Sequence, residues 1–180
     1  MHIRTQSGKK IDLLNPKADD ISIDDIAHGL AKACRYAGQI KEFYSVARHS
    51  ILVSRFISYP WKLHGLLHDA SESYLGDIVK HLKEFLPDYR AIECKVQGSI
   101  YARFGLSWPI EEELKHWDRE VLKAEYHYLY GEAAYREEFP GEEFNEEIKS
   151  DVIRASDQFG EDWRYDFDDF KYTFNQLTCK

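Results

Sequence analysis

The chain has 180 residues, of which 43% are hydrophobic and 14% aromatic, a composition that suits one domain with a continuous core. Acidic residues outnumber basic residues 32 to 24, which gives a formal net charge of −8. This balance argues against sequence-independent binding to DNA or RNA, because that mode needs clustered lysines and arginines. A small anionic substrate is still compatible with it, since a local basic pocket can lie within an acidic surface.

The three cysteines, Cys34, Cys94 and Cys179, are widely spaced and odd in number. They predict neither a disulfide framework nor a thiolate zinc site, and they favour a reducing compartment. No apolar run has the length needed to cross a bilayer. We therefore expect a cytoplasmic protein without a membrane partner.

Apolar residues at helical spacing begin after a short N-terminal segment. Residues 1–21 contain few periodic apolar positions and are predicted to form an N-terminal arm, either extended or folded as a short hairpin. Ser22 is a suitable N-cap for a first helix, whose buried face runs over residues 23–34. The same spacing predicts a second helix over residues 46–57 and a third, strongly apolar helix over residues 61–72.

The second half of the chain continues in the same pattern. Short and amphipathic helices are predicted over residues 82–86 and 88–104, followed by a long helix that starts at Ser107-Trp108-Pro109 and ends at Pro140-Gly141. Two more helices fill the last forty residues. Their aromatic stripe, typical of core or of a subunit interface, suggests a homo-oligomer and comprises Trp163, Tyr165, Phe167, Phe170, Tyr172 and Phe174. The sequence thus predicts an all-α helical bundle in one domain over residues 22–180.

An adjacent histidine and aspartate, His68 and Asp69, lie on the third predicted helix, where packing alone would favour leucine or alanine. A buried carboxylate is costly unless it is paired or bound to a metal. An ion between the two side-chain directions can be touched by both residues. Glu72 shares their face one turn later, and Asp77 follows the turn at Gly76.

Two further residues can complete a site of mixed nitrogen and oxygen ligands. His49 is on the apolar face of the second predicted helix, and Asp118 is among the apolar positions of the long helix. Inward side chains from different helices can converge on one ion in a bundle core. Two imidazoles and two carboxylates suit a single divalent transition metal such as Co, Mn, Zn, Ni or Fe.

The order His49, then His68-Asp69, then Asp118 resembles the H…HD…D motif of the HD-domain superfamily. The surrounding sequence is similar to bacterial and phage HD hydrolases that act on deoxynucleotides, among them the 5′-deoxynucleotidases and the phage dATP triphosphohydrolases. The resemblance covers roughly residues 22 to 130, and its matching segments are 34–38, 43–50, 67–77 and 118–125.

This resemblance implies a role for each matched residue. His49, His68, Asp69 and Asp118 would be the metal ligands. Glu72 and Asp77 would be the catalytic carboxylates at the reacting phosphate. Arg35 would contact that phosphate and Tyr36 would lie against the nucleoside, so that the substrate-binding set comprises Arg35, Tyr36, Gly38, Lys80 and His81.

The activity implied is the metal-dependent removal of phosphate from deoxynucleotides, with dATP or dAMP favoured, so that the partner is a small nucleotide. A 5′-deoxynucleotidase restricted to monophosphates is one alternative, and a non-catalytic, metal-containing nucleotide-binding protein is another. A di-iron oxygenase on a similar scaffold would need additional inward histidines, for which only His64 and His81 are placed.

Overall fold

Helices dominate the computed structural model, which describes residues 1–108, 111–159 and 162–179, and the predicted all-α class is confirmed. Within those residues, strands occur only as a two-stranded antiparallel hairpin of β1 (His2–Arg4) and β2 (Lys10–Asp12). The N-terminal segment is therefore a hairpin, one of the two forms predicted. It packs against the bundle, since Ile11 and Leu13 are buried in the main apolar cluster.

The helices follow the hairpin in chain order. They are α1 (Ile23–Lys32), α2 (Val46–Phe56), α3 (Lys62–Leu67), α4 (Glu72–Leu75), α5 (Lys80–Lys83), α6 (Pro87–Arg103), α7 (Glu111–Tyr130), α8 (Glu132–Glu138), α9 (Glu146–Phe159) and α10 (Trp163–Thr178).

Helix α2 lies at the centre of the molecule. All nine residues from Val46 to Ser54 are buried, as expected for a helix that packs on every side. On one side it meets a large cluster that also includes residues of α1, α3, α6 and α10. On the other it meets a smaller cluster formed with α7 and α9. A polar residue in the middle of α2 is therefore held in the interior, and His49 is such a residue.

The single helix predicted over residues 61–72 is wrong, because the structure divides it into α3 and α4. In a continuous helix the Ser71 amide would bond to the Leu67 carbonyl. Instead the side chain of Gln97 takes both groups: its Nε2 donates to the Leu67 oxygen at 2.7 Å, and its Oε1 accepts from the Ser71 nitrogen at 3.0 Å. A side chain inserted in this way opens the helix, here at His68 and Asp69.

The long helix predicted to end at Pro140-Gly141 is also interrupted, because α7 stops at Tyr130 and α8 begins at Glu132. Gly131 between them has a φ of 85°, a left-handed conformation that glycine adopts without strain. At the other end of the predicted helix, Pro109 lies outside the described residues.

The aromatic stripe of the C-terminal helix is mostly core. Phe170 and Phe174 are buried in the large cluster, and Trp163 and Phe167 pack against it. Tyr165 and Tyr172 are more than half exposed. Within the described residues, no helix combines the length and apolar character needed to cross a membrane.

Candidate metal centre

Two histidines and an aspartate from separate helical segments meet at the edge of the buried helix α2. His49 projects from α2, His68 follows the end of α3, and Asp118 lies on α7. The Asp118 Oδ1 is 3.0 Å from the His49 Nε2 and 3.8 Å from the His68 Nε2. One ligand atom from each residue lies within 4.8 Å of the others, so this cluster could hold a metal ion.

Asp69, the fourth predicted ligand, lies beside the same atoms. Its Oδ2 is 3.1 Å from the His68 Nε2 and 3.9 Å from the His49 Nε2. The structure therefore brings together all four residues that the sequence assigned to the metal.

Hydrogen bonds at the far side of each ring decide which nitrogen faces the cluster. The Nδ1 of His68 lies 2.8 Å from the Gly65 carbonyl oxygen, which can only accept, so this nitrogen carries the hydrogen. The Nδ1 of His49 lies 2.9 Å from a carboxylate oxygen of Glu125 and donates in the same way. Each neutral ring therefore presents its unprotonated Nε2 to the cluster, which is the arrangement of metal-binding histidines.

A bare Nε2 facing carboxylates is unfavourable unless a positive charge lies between them. The Nε2 of His68 is buried and has no hydrogen-bond partner. A cation among His68, His49 and the two aspartates would satisfy every one of these atoms, so the residues fit a metal ion.

The pKa values express the same need for positive charge. Burial and the Arg35 guanidinium act to lower the pKa of His49, but Glu125 and Asp118 outweigh them and raise it to about 9. Burial likewise acts to lower the pKa of His68, but Asp69 and Asp118 outweigh it and raise the pKa above its usual value. Without a metal, the carboxylates therefore favour the protonated form of both imidazoles.

Glu125, which the sequence analysis assigned no role, anchors the site from behind. Its carboxylate is fully buried, and it also lies 3.1 Å from the Arg35 Nη2. The signal was present in the spacing, because Glu125 follows Asp118 by seven residues, two helical turns, and so shares its face of α7.

Arg35 and Tyr36 are held by an unusual turn. Tyr36, Ala37 and Gly38 have φ values of 56°, 52° and 72°, so two non-glycine residues adopt the left-handed conformation. The Gly38 amide closes the turn by donating to the Arg35 carbonyl at 3.1 Å. Such strain persists where the surroundings fix the backbone, often at functional sites. Gly38 itself is exposed and shapes the turn.

Tyr36 packs edge-on against the rings of Tyr126 and Tyr130, with centroids 6.1 and 5.5 Å away. Its hydroxyl is buried and lacks a hydrogen-bond partner, and burial raises the pKa of this phenol. The predicted nucleoside contact is therefore part of an aromatic cluster with α7.

The two predicted catalytic carboxylates, Glu72 and Asp77, lie in an environment that favours their protonated forms. Burial, then Asp69 and Asp77, raise the pKa of Glu72 to about 9 against the opposing effect of Lys83. Burial also raises the pKa of Asp77. The Lys83 Nζ lies 2.8 Å from Glu72 and 2.7 Å from Glu93, so Glu93 supplies a counter-charge for the lysine.

Lys80 and His81 are not brought to the cluster by any bond within the described residues. Both are exposed on α5, and Lys83, one turn after Lys80, is the lysine that reaches a site carboxylate. His64 is also outside the metal cluster, because its Nε2 donates to the Ser107 carbonyl at 2.9 Å.

A cavity of about 320 Å³ opens beside the cluster, and His68 and Asp118 are among its lining residues. Its other lining residues are Gln97, Tyr101, Trp108, Leu114 and Lys115. A larger cavity of about 560 Å³ lies between residues 14–18 and α6, but no residue of the metal cluster lines it.

Two proteins of unassigned activity are similar to this chain. The uncharacterized protein YfdR of Escherichia coli K12 is 39% identical over 123 residues, which span 68% of this chain and 69% of YfdR. The uncharacterized protein RCAP_rcc00048 of Rhodobacter capsulatus is 41% identical over 113 residues, which span 57% of this chain and 58% of that protein. No established protein-family profile matches the chain.

Proposed function

This chain belongs to the family of the uncharacterized Escherichia coli protein YfdR, and we propose that it is a divalent-metal-dependent phosphohydrolase of the HD-domain superfamily that acts on deoxynucleotides. The proposal is supported first by the two imidazoles whose Nε2 atoms face Asp69 and Asp118, while each Nδ1 is held by an acceptor on the far side of its ring. The order and identity of these four residues are those of the superfamily motif.

Two nitrogen and two oxygen ligands suit one Mn, Co, Fe, Ni or Zn ion. When bound, such an ion supplies Lewis acidity, which neutralises charge on phosphoryl oxygens and makes water more acidic. The remaining steps fall to the side chains around the cluster.

We assign the binding of the phosphate to Arg35. Its Nη2 pairs with the buried Glu125, which fixes the orientation of the guanidinium, while its Nε is buried without a partner. An arginine held in this way can offer its other donors to phosphoryl oxygens at little entropic cost. The left-handed turn after it keeps the backbone in place.

Glu72 is suited to act as the general acid. It lies one turn beyond His68 and Asp69, its Oε2 is buried and unpaired, and burial raises its pKa, which favours the protonated form. We assign to it the transfer of that proton to the leaving oxygen as the P–O bond breaks. Asp77 would orient the attacking water, and Lys83 holds Glu72 in position.

A panel of deoxynucleotides and divalent metals tests the proposal. Purified protein would be incubated with dAMP or dATP and Mn²⁺, Co²⁺ or Zn²⁺, and released phosphate, pyrophosphate and tripolyphosphate would be measured. Tripolyphosphate from dATP indicates a triphosphohydrolase, and phosphate from dAMP alone indicates a 5′-deoxynucleotidase. If nucleotides bind but no metal supports their hydrolysis, the proposal is contradicted and the protein is a non-catalytic nucleotide-binding protein.

A further inference from the structure

The cavity beside the metal cluster has one wall built from aromatic side chains. The ring of Tyr101, on α6, lies edge-on to Trp108 with centroids 5.2 Å apart and edge-on to His64 at 5.8 Å. The hydrogen bond from His64 to the Ser107 carbonyl fixes the backbone next to Trp108. Three aromatic rings and one hydrogen bond to a backbone carbonyl therefore hold this wall against α3, the helix that leads into His68.

Trp108 is held but not covered. Its exposed fraction is 60%, whereas Tyr101 behind it is 3% exposed. A large apolar ring kept in place by a buried neighbour, and left open beside a charged cluster, offers a ready surface for a flat apolar group.

The polar groups of the cavity support the same occupant. The amide of Gln97 is committed to Leu67 and Ser71, and Leu114 and Trp108 contribute apolar surface to the lining. The ionisable residues His68, Asp118 and Lys115 belong to the same lining. A ligand with both a charged group and a flat apolar group would match this mixed lining, and about 320 Å³ lies in the range of small-molecule sites.

We propose that this cavity binds the nucleobase of the substrate, with Trp108 as the stacking surface that sets the preference for nucleotides over other phosphate esters. The choice of a nucleobase rests on the proposed function. Tyr101 acts through Trp108, as a positioning residue. The sequence resemblance placed the nucleoside against Tyr36 instead, so the two assignments can be told apart.

Calorimetric titration of the Mn²⁺-loaded protein with 2′-deoxyadenosine tests the base site without any chemistry. Trp108→Ala should raise the Kd about tenfold, because one base–aromatic stack is lost. Trp108→Phe keeps an aromatic face and should bind within about twofold of wild type. Tyr172→Ala, which removes an equally exposed aromatic from α10, is the matched control and should bind as wild type does.

Equal binding of deoxyadenosine by wild type and Trp108→Ala, or no binding by wild type, would overturn the inference. So would a loss of affinity confined to inorganic tripolyphosphate, which would place the phosphate chain in the cavity. Hydrolysis of dAMP by the same samples separates this inference from the proposed function. If Trp108→Ala hydrolyses dAMP with an unchanged KM, the base site is wrong and the phosphohydrolase activity stands. If deoxyadenosine binding depends on Trp108 but no dAMP is hydrolysed, the phosphohydrolase proposal is wrong and the base site stands.

Discussion

The imidazole of His49 and the carboxylate of Glu125 are joined by a 2.9 Å hydrogen bond, and neither side chain is exposed to solvent. This bond places a hydrogen of His49 on Nδ1 and turns Nε2 towards Asp118 and the metal cluster. It also adds electron density to the ring, because the acceptor is charged.

Replacing Glu125 with glutamine should therefore weaken metal binding while preserving the shape of the site. The amide oxygen can still accept from Nδ1, but the charge that makes the ring a better ligand is gone. We expect a loss of about tenfold or more in affinity for Mn²⁺ or Zn²⁺, measured by competition with a chromogenic chelator. Glu112→Gln, an exposed change on the same helix, is the control. Equal metal affinities in the two variants would show that Glu125 does not support the metal site.

Gln97 should affect the metal site without touching it. Gln97→Leu keeps the volume but removes both bonds that hold α3 apart from α4, so Leu67 and Ser71 lose their partners. We expect about 1–3 kcal/mol of lost stability in urea unfolding and weaker metal binding. Cys94→Ser, an exposed change one turn earlier on α6, should alter neither quantity. Unchanged metal affinity in Gln97→Leu would show that the helix break does not position His68 and Asp69.

The fold was predictable where local signals decide it. The amphipathic pattern over residues 88–104 corresponds to α6 at Pro87–Arg103, and the last forty residues form two helices as expected. The division of residues 61–72 was not predictable, because the group that opens that helix belongs to Gln97, 26 positions after Ser71. Helical periodicity contains no information about a partner so distant in sequence.

The candidate site was predictable in its motif residues and less so in their supports. The resemblance named the four residues of the metal cluster, but Glu125 has the same residue type as many exposed acids on this chain. The lysine that reaches Glu72 is Lys83 and not Lys80. Which lysine reaches Glu72 depends on where α5 begins after the turn at Gly76, and local sequence does not indicate that position. Trp108 could not be placed beside His68, since a contact between loop and helix leaves no local pattern.

The metal-free protein should lose stability as the pH rises from about 6.5 to about 9. The pKa of His49 is raised from 6.5 to about 9 in the folded chain, so its contribution is complete below pH 6.5 and is lost as the pH rises through 9. Glu72, raised from 4.5 to about 9, acts in the same direction over this window. Asp69, Asp118 and Glu125 have lowered pKa values and stay ionised throughout.

Thermal unfolding of chelator-treated protein across this range measures the effect. The midpoint should fall with rising pH, by about 2–4 °C for each kcal/mol lost. Adding Mn²⁺ should raise the midpoint more at pH 9 than at pH 6, because the ion competes with protons for His49 and His68. A flat profile in the metal-free protein would contradict this arrangement of charges around His49 and Glu72.

The turn after Arg35 should be relieved by glycine. Ala37 is exposed and has a φ of 52°, a conformation that costs a non-glycine residue about 1–2 kcal/mol. Glycine avoids this cost but increases the conformational entropy of the unfolded chain. Ala37→Gly should therefore raise the free energy of unfolding by up to about 1 kcal/mol. Ala91→Gly, at an exposed position inside α6, should instead lower it by about 1 kcal/mol. Urea unfolding of both variants checks the opposite signs, and two losses of equal size would show that the turn carries no strain.

Glu72→Gln separates catalysis from metal binding. Glutamine keeps the size of the side chain and can still accept the hydrogen bond from Lys83, but it cannot release a proton. If Glu72 protonates the leaving oxygen, kcat should fall by about 10²–10⁴ while metal affinity stays within about twofold. The effect should be smallest for an ester whose leaving group needs no proton, such as p-nitrophenyl phosphate, and largest for dAMP. Glu84→Gln, an exposed change just beyond α5, is the matched control. A variant equally slow on both esters would show that Glu72 orients the phosphate or the water, since a proton donor matters only to the poorer leaving group.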